Sequence, residues 1–188
     1  MISIDFKKIH DDFHLRIFRY LSGMVGKDNA EDLTQVVFEK TSRGLPDFRG
    51  ESSLSTWIYR IATNVALDHN RFASIRQAMI FLDTVDVNCD CNVPSEEKQH
   101  NAEQGIIKRE MNDCIHRIIK QMPEDERVVL ILSEFEEMKN REIADILDIS
   151  LDAVKIRLHR ARMRLRKDIE AECTLSRDER NELVCHPK

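Results

Sequence analysis

The chain has 188 residues, of which 41% are hydrophobic and 34% charged, and its formal net charge is −5 at pH 7. This is the composition of an ordinary soluble protein, long enough for one large domain or two small ones. No apolar run approaches membrane-spanning length, and the start of the chain lacks the basic and then apolar profile of a signal peptide, so we expect a cytoplasmic protein.

Two helices are predicted at the start of the chain. Apolar residues at helical spacing over residues 5–21 predict the first, which ends at Ser22 and Gly23. The second is predicted from about Asp28 to Arg43, with acids in its first turn, where the helix dipole favours negative charge. Because only five glycines and four prolines interrupt the chain, we expect mostly helices in the remainder as well.

The next segment, Phe48 to Arg71, combines a polar loop with a helix. Ser53 or Ser55 is the predicted N-cap of that helix. Its loop and polar face offer hydrogen-bond donors for unpaired bases, and three aromatic residues offer stacking surfaces, namely Phe48, Trp57 and Tyr59. The simpler interpretation is that Trp57 belongs to the core and that the arginine on the polar face, Arg60, is a solvated surface charge.

Helical periodicity fades from about Gln77 to Gln104, a segment with six acids and one lysine. This pattern predicts an acidic linker over 77–104, between helical domains at 1–76 and 105–170. Within the second domain, one helix is predicted to end at Pro123 and another to run from about Glu124 to Glu136. The tail over 171–188 is polar, and we expect it to be poorly anchored.

The segment Asn140 to Lys167 has the pattern of a helix-turn-helix. Its turn is Asp148-Ile149-Ser150, in which Ser150 is the predicted N-cap of the second helix and Asp148 takes the position that usually needs glycine for a positive φ. Residues 151–167 contain seven cations and one acid, a net charge of +6. A basic second helix favours binding in the major groove of DNA, and the alternative is an amphipathic helix with an ordinary basic face.

Together these motifs resemble the extracytoplasmic-function (ECF) group of the sigma-70 family of bacterial sigma factors, over roughly residues 10–167. NAEDLTQVVF (29–38) resembles the family's polymerase-binding helix. FRGESSLSTWIYRIATNVALDH (48–69) resembles its segment for melting and reading the minus 10 promoter element. The sequence from Met122 to Arg166 resembles its reader of the minus 35 element.

The resemblance implies an all-α protein made of two small helical domains joined by a flexible acidic linker, with a helix-turn-helix in the C-terminal domain. Such a protein is no enzyme and needs no cofactor. It lends promoter specificity to RNA polymerase core, through the β′ and β subunits, and binds promoter DNA. The resemblance also implies control by an anti-sigma factor, without direct insertion of this chain into a membrane.

Site residues follow from the resemblance, position by position. Those implied to bind core polymerase are Asp32, Gln35, Val36 and Phe38. Those implied to contact the minus 10 element are Phe48, Arg49, Gly50, Ser52, Ser53, Arg60 and Asn64. Those implied to contact the minus 35 element are Lys155, Ile156, Arg157, His159, Arg160 and Arg162. Ile156 departs from the small polar residue common at its position, so we expect it to contact a thymine methyl group rather than to form a hydrogen bond.

The cysteines are not explained by the resemblance. Cys89, Cys91, Cys185 and His186 have side chains that bind zinc or copper, but their spacing is not that of a standard zinc site. No metal site is therefore predicted, and these residues stay candidates for metal binding or redox sensing. Because five cysteines are an odd number in an expected reducing compartment, we expect thiols rather than structural disulfides. Cys114 lies at an apolar helix position and is predicted to be core.

Two other classes of function remain open. A stand-alone helix-turn-helix regulator would use the C-terminal half alone and leave the Phe48–Arg71 segment without a role. A metal-dependent nucleic-acid enzyme could draw on Glu31, Asp32 and Asp68, but no compact acidic set with a partnered lysine or histidine is visible.

Overall fold

The computed structural model describes residues 5–83, 114–177 and 183–187, and it describes side chains for 5–76 and 114–173. The N-terminal helices are α1 (Phe6–Val25), α2 (Lys27–Gly44) and α3 (Leu54–Asp83), with a 3-10 turn at Leu45–Asp47. The C-terminal helices are α4 (114–121), α5 (Glu124–Glu134), α6 (Asn140–Leu147) and α7 (Leu151–Glu172). Two short strands follow, β1 (Cys173–Arg177) and β2 (Leu183–Pro187). None of the described helices is long and apolar enough to cross a membrane.

Helices α1, α2 and α3 pack around a core that the apolar spacing of each helix supplies. Ile17, Tyr20 and Leu21 of α1 are fully buried, together with Val37 of α2 and Ile58 of α3.

The breaks between these helices have local causes. Gly26, at a φ of 88°, separates α1 from α2 because a side chain rarely adopts that conformation. Ser53 is the N-cap of α3, as one of the two predicted alternatives, and its Oγ accepts a hydrogen bond of 3.0 Å from the backbone amide of Thr56.

The helix-turn-helix forms as predicted. Asp148 adopts the left-handed conformation with φ 53° and ψ 48° and ends α6. Ser150 begins α7, since its Oγ accepts a hydrogen bond of 3.1 Å from the backbone amide of Ala153. Ile143 and Ile146 of α6 and Val154 of α7 are buried, so that the turn fixes the two helices around one apolar seam.

Two features differ from the sequence-based expectation. Helix α3 continues to Asp83, past the predicted loss of periodicity at Gln77, because good helix formers and no glycine or proline occupy that stretch. The remaining linker residues, 84–104, lie outside the described residues.

The tail contains two strands that the sequence analysis does not predict. β1 continues directly from α7 and pairs with β2 in antiparallel register, with Leu175 opposite Cys185. Cys173, at the start of β1, is buried and belongs to a disulfide, where free thiols were expected. Thr174 and Val184 are β-branched residues, which favour strands, whereas the overall polarity of the segment predicts only a tail.

The N-terminal and C-terminal helices share one continuous hydrophobic core. Helix α3 packs on α6, and α1 packs on α5. The second contact is close, because a Cβ atom added to Gly23 of α1 would lie 3.2 Å from Cδ1 of Ile131 on α5. The architecture is the predicted layout of two helical groups, and the groups are in direct contact.

Candidate DNA-reading surfaces

The outward face of α7 is the clearest candidate for contact with DNA. Val154, Leu158 and Ala161 are buried. The face opposite to them, which we call the outward face of α7, consists of Ile156, His159, Arg160 and Met163, all exposed. Ile156 and Met163 are each more than half exposed, at 52% and 56%. Exposed apolar residues on such a helix can contact base edges and thymine methyl groups when the helix lies in a major groove. The helix begins directly after a capped turn, as recognition helices do.

Other cations of α7 are paired with acids on α5. Arg162 donates from Nε and Nη2 to Oε1 of Glu134, at 3.0 and 2.6 Å. Arg157 Nε lies 3.8 Å from Oδ2 of Asp125. Arg157 and Arg162 are predicted to contact DNA, and in the structure each lies beside an acid of α5.

Two further cations of α7 are also paired. Arg164 Nε donates to Oε2 of Glu126 at 2.8 Å, and Lys155 Nζ lies 3.1 Å from Oδ1 of Asp152. Arg160, by contrast, has no ionic or hydrogen-bonding partner among the residues that the structure describes. Its charge is therefore available to a phosphate or a guanine without breaking an internal pair.

The loop before α3 places only some of the predicted minus 10 residues in reach of a ligand. Arg49 and Gly50 are exposed, and Gly50 adopts a φ of 73° with open space around it. Phe48 is half-buried against Trp57, with ring centroids 5.1 Å apart. Ser52 is half-buried, and the Ser53 hydroxyl is occupied by its capping contact.

One of the predicted polar residues of α3 contacts α6. Arg60 is exposed at its tip and donates through Nη2 to the backbone carbonyl of Asp145 on α6. Asn64, one turn further on, is exposed. Tyr59 is fully buried, so its predicted role as a stacking surface is wrong. Its ring instead packs edge-on against Tyr20, with centroids 5.4 Å apart.

A buried carboxylate joins the two groups of helices. Glu136, directly after α5, accepts a hydrogen bond from the Tyr59 hydroxyl, and its side chain is only 8% exposed. Arg16 Nη2 of α1 lies 3.9 Å from Oε2 of Glu136, and the Arg16 guanidinium covers the Tyr59 ring at 5.7 Å. Burial raises the pKa of Glu136, and the Tyr59 hydrogen bond together with Arg16 and Arg19 opposes that rise. We call this cluster the Glu136 latch, made of Arg16, Tyr59 and Glu136.

A second polar contact lies further along α3. Asn70 Nδ2 donates to Oε1 of Glu124 at the start of α5, at 2.7 Å. Sequence reasoning missed both this contact and the Glu136 latch, because their partners lie 54 and 77 residues apart in the chain. No local pattern signals such pairs.

The predicted polymerase-binding residues divide between the surface and the core of α2. Asp32 and Gln35 are exposed, and Val36 is half-buried. Phe38 is only 5% exposed and packs against His10 of α1, with ring centroids 4.7 Å apart. Phe38 therefore holds α2 against α1, and the prediction that it contacts polymerase does not fit its position.

The structure does not describe the side chains of the four candidate metal ligands, so their role stays a hypothesis. Cys89 and Cys91 lie outside the described residues, and of Cys185 and His186 only the backbone in β2 is described. Within the described residues there is no group of three or more histidine, cysteine or acidic side chains that could hold a metal ion. Cys114, predicted to be core, is half-buried.

Comparison with known proteins identifies both groups of helices. Residues 9–74 match the model of sigma-70 region 2, and residues 112–165 match that of sigma-70, region 4. RNA polymerase sigma factor SigZ of Bacillus subtilis (strain 168) is 29% identical over 182 residues, which cover 96% of each chain. The ECF RNA polymerase sigma-E factor of Escherichia coli (strain K12) is 30% identical over 157 residues, or 80% of this chain and 82% of that protein.

Solved structures share the fold. The sigma factor RpoE in complex with the anti-sigma factor NepR from Bartonella quintana aligns with a TM-score of 0.66 at 19% identity, covering 89% of this chain and 98% of that one. CnrH in complex with the cytosolic domain of CnrY aligns with a TM-score of 0.64 at 18% identity, covering 89% and 88%. Both sigma-70 regions, in the expected order and with full-length relatives, place this chain in the ECF group of the sigma-70 family, and it is an RNA polymerase sigma factor.

Proposed function

We propose that this sigma factor reads the minus 35 element with the outward face of α7, and the minus 10 element with the loop at 48–53 and the polar face of α3. The observation that carries the proposal is the outward face itself, whose Ile156, His159 and Arg160 follow a capped turn and have no internal partner among the described residues. Arg160 supplies charge and a bidentate donor, while Ile156 supplies an apolar contact for a thymine methyl group.

Core polymerase, on this proposal, is bound by the exposed part of α2, with Asp32 and Gln35 at its centre and Val36 at its edge. Arg157 and Arg162 orient α7 on α5 and do not read bases. The chain works in the cytoplasm, where promoter DNA and polymerase are, and it acts by binding rather than by catalysis. The helical groups form two domains, which comprise α1 to α3 and α4 to α7, joined by an acidic linker.

The arrangement described here does not read both promoter elements at once. Elements centred 25 base pairs apart are separated by about 85 Å along B-DNA, at 3.4 Å per base pair. In this structure, Arg60 of the minus 10 surface binds α6, the first helix of the minus 35 reader. We infer that this is an idle, closed form, and that the helical groups separate when the promoter is read.

A cognate anti-sigma factor would favour this closed form if it bound across both helical groups. Both solved structures described above are complexes: RpoE is bound to an anti-sigma factor, and CnrH is bound to the cytosolic domain of CnrY. This supports the proposal of an anti-sigma partner for the present chain, recognised through surfaces of both groups.

Run-off transcription tests the proposed function. Core RNA polymerase is given a genomic promoter library with and without the full chain, and we expect discrete starts only when the chain is present. Arg160→Ala should abolish most of these starts. The matched control is Arg166→Ala, a change of the same charge on the same helix, at a residue 76% exposed and paired with Glu170, which should leave the starts unchanged.

The opposite result is also informative. If the chain yields no new starts but binds duplex DNA tightly without polymerase, it is a stand-alone helix-turn-helix regulator. If Arg166→Ala removes the starts as completely as Arg160→Ala, the helix acts through total charge and not through its outward face.

A further inference from the structure

Two cysteine sulfur atoms lie close together, one at the first described residue of α4 and the other directly after α7. Sγ of Cys114 lies 3.8 Å from Sγ of Cys173. Cys114 is a free thiol, whereas Cys173 is already disulfide-bonded. The two residues are 59 positions apart in the chain, so their proximity is a product of the fold. The distance between the free thiol and the disulfide sulfur is close to the roughly 3–3.5 Å at which reacting atoms are held in a reactive arrangement.

The groups around Cys114 are those that thiol chemistry requires. The Cys114 thiol donates to Oε2 of Glu172 at 3.4 Å, so this carboxylate positions the thiol. Arg117 Nη2 donates to the same oxygen at 2.7 Å and lies 3.7 Å from Cys114 Sγ. The guanidinium therefore stands beside the sulfur that becomes negative when the proton leaves.

We propose that Cys114, Glu172, Arg117 and Cys173 form an internal thiol–disulfide exchange site. The Cys114 thiol loses its proton to solvent hydroxide, and the thiolate, beside the Arg117 guanidinium, attacks Sγ of Cys173. A bond forms between the two sulfur atoms, and the existing disulfide bond of Cys173 breaks. The departing cysteine leaves as a thiolate and takes up a proton from solvent. One disulfide replaces another, so no external oxidant or reductant is consumed.

The exchange changes what Cys173 is linked to. Its present disulfide bond is replaced by a covalent link to Cys114 of α4. Since Cys173 directly follows α7, the helix with the proposed DNA-reading face becomes tied to α4.

The local charges set the rate of the exchange. Burial raises the pKa of the Cys114 thiol, the hydrogen bond to Glu172 raises it further, and Arg117 opposes both. The thiol is thus mostly protonated near neutral pH, and the exchange is slow there. Below the thiol pKa, each added pH unit increases the thiolate fraction about tenfold, so the rate should rise about tenfold per unit.

Disulfide mapping of the full-length oxidised chain tests this site without polymerase or DNA. Samples held at pH 7.5 and at pH 8.5 are acid-quenched, alkylated and digested, and linked peptides are quantified by mass spectrometry over time. We expect the Cys114–Cys173 peptide to accumulate while the number of free thiols stays constant, and to accumulate about tenfold faster at the higher pH. Cys114→Ser should never give a new disulfide.

Variants at the charged neighbour make the test specific. Arg117→Gln should slow the exchange several-fold because it removes the cation beside the thiolate, and Arg141→Gln, an exposed arginine on α6, should leave the rate unchanged. Three results would overturn the proposal: Cys173 that never enters a disulfide, Cys114 that stays free at both pH values, or a rate insensitive to Arg117→Gln. A failure here leaves the sigma-factor assignment untouched, since the assay does not measure transcription.

Discussion

At the level of single residues, α7 separates two uses of positive charge. Arg157, Arg162 and Arg164 lie beside acids of α5, and ion pairs with solvent-exposed cations contribute little to stability. Their effect is on orientation more than on stability. The sequence predicts the charge of α7 correctly, but it does not predict the pairing, because Glu134 and Glu126 lie 28 and 38 residues from their partners on another helix.

Ile156 gives a prediction about the base that it contacts. Its side chain is apolar and 52% exposed, and burying one methyl or methylene group contributes about 0.8 kcal/mol. Replacing thymine by uracil in the minus 35 element removes only the 5-methyl group. At the contacted position we expect holoenzyme affinity to fall about fourfold, as measured by promoter binding at fixed salt.

The control for this prediction is a double-mutant cycle. Ile156→Ser should weaken binding to the thymine promoter by a similar factor and should bind thymine and uracil promoters equally. If Ile156→Ser keeps the full preference for thymine at every position of the element, another residue of the outward face makes the contact, with Met163 as the next candidate.

At the level of secondary structure, the helix ends that depend on neighbouring side chains could be predicted from the sequence. The caps at Ser53 and Ser150 and the left-handed Asp148 follow from side-chain types at a few neighbouring positions. The β-hairpin was missed because its two strands are short and joined through residues with no strong turn signal. The full length of α3 was missed because acidic composition was taken as the sign of a linker, although it does not exclude a helix.

Asp148 gives a prediction about the helix-turn-helix. Its φ is 53°, which aspartate adopts at modest cost, glycine without cost and a β-branched residue only with strain. Asp148→Val should lower the free energy of unfolding by about 1–2 kcal/mol, and Asp148→Gly should leave it nearly unchanged. Chemical denaturation followed by circular dichroism measures both. Equal losses for valine and glycine would mean that the carboxylate, and not the backbone, is what this position needs.

At the level of the whole molecule, the contact between the helical groups is the part that sequence could not predict. The periodicity of α3 and α6 identifies an apolar face on each helix, but not which faces meet. The Glu136 latch shows the difficulty, because Tyr59 was assigned to base stacking on the basis of its type and neighbours. Only the fold shows that its hydroxyl binds a carboxylate 77 residues away.

Removing the Tyr59 hydroxyl should open the molecule. Tyr59→Phe keeps the ring packed against Tyr20 but leaves the buried Glu136 carboxylate without its donor, a loss of about 1–3 kcal/mol in the closed form alone. The ratio of open to closed molecules should rise about 5- to 150-fold. Energy transfer between dyes on α2 and α7 of the full chain should fall accordingly.

A variant outside the interface controls for this prediction. Phe72 is 67% exposed on α3, and Phe72→Ser should leave energy transfer unchanged. Undiminished energy transfer in Tyr59→Phe would show that apolar packing alone holds the helical groups together.

The same latch makes closure depend on pH, with a sign that follows from the carboxyl group. Burial raises the pKa of Glu136 above its ordinary value of 4.5, so the closed form binds a proton more readily than the open, solvated form. The closure that this group contributes is therefore fully present below pH 4.5 and is lost as pH rises through the raised pKa. Arg16, Arg19 and Tyr59 are the charged and polar groups that face the carboxyl group.

Energy transfer should accordingly increase as pH is lowered from 7 toward 5. Glu136→Gln, which keeps an acceptor for Tyr59 but carries no charge, should hold the molecule closed at both pH values and delay promoter opening in transcription assays. A wild-type chain whose closure is constant over this range, or a glutamine variant that opens at pH 7, would show that the carboxylate is stabilised by Arg16 more than it is penalised by burial.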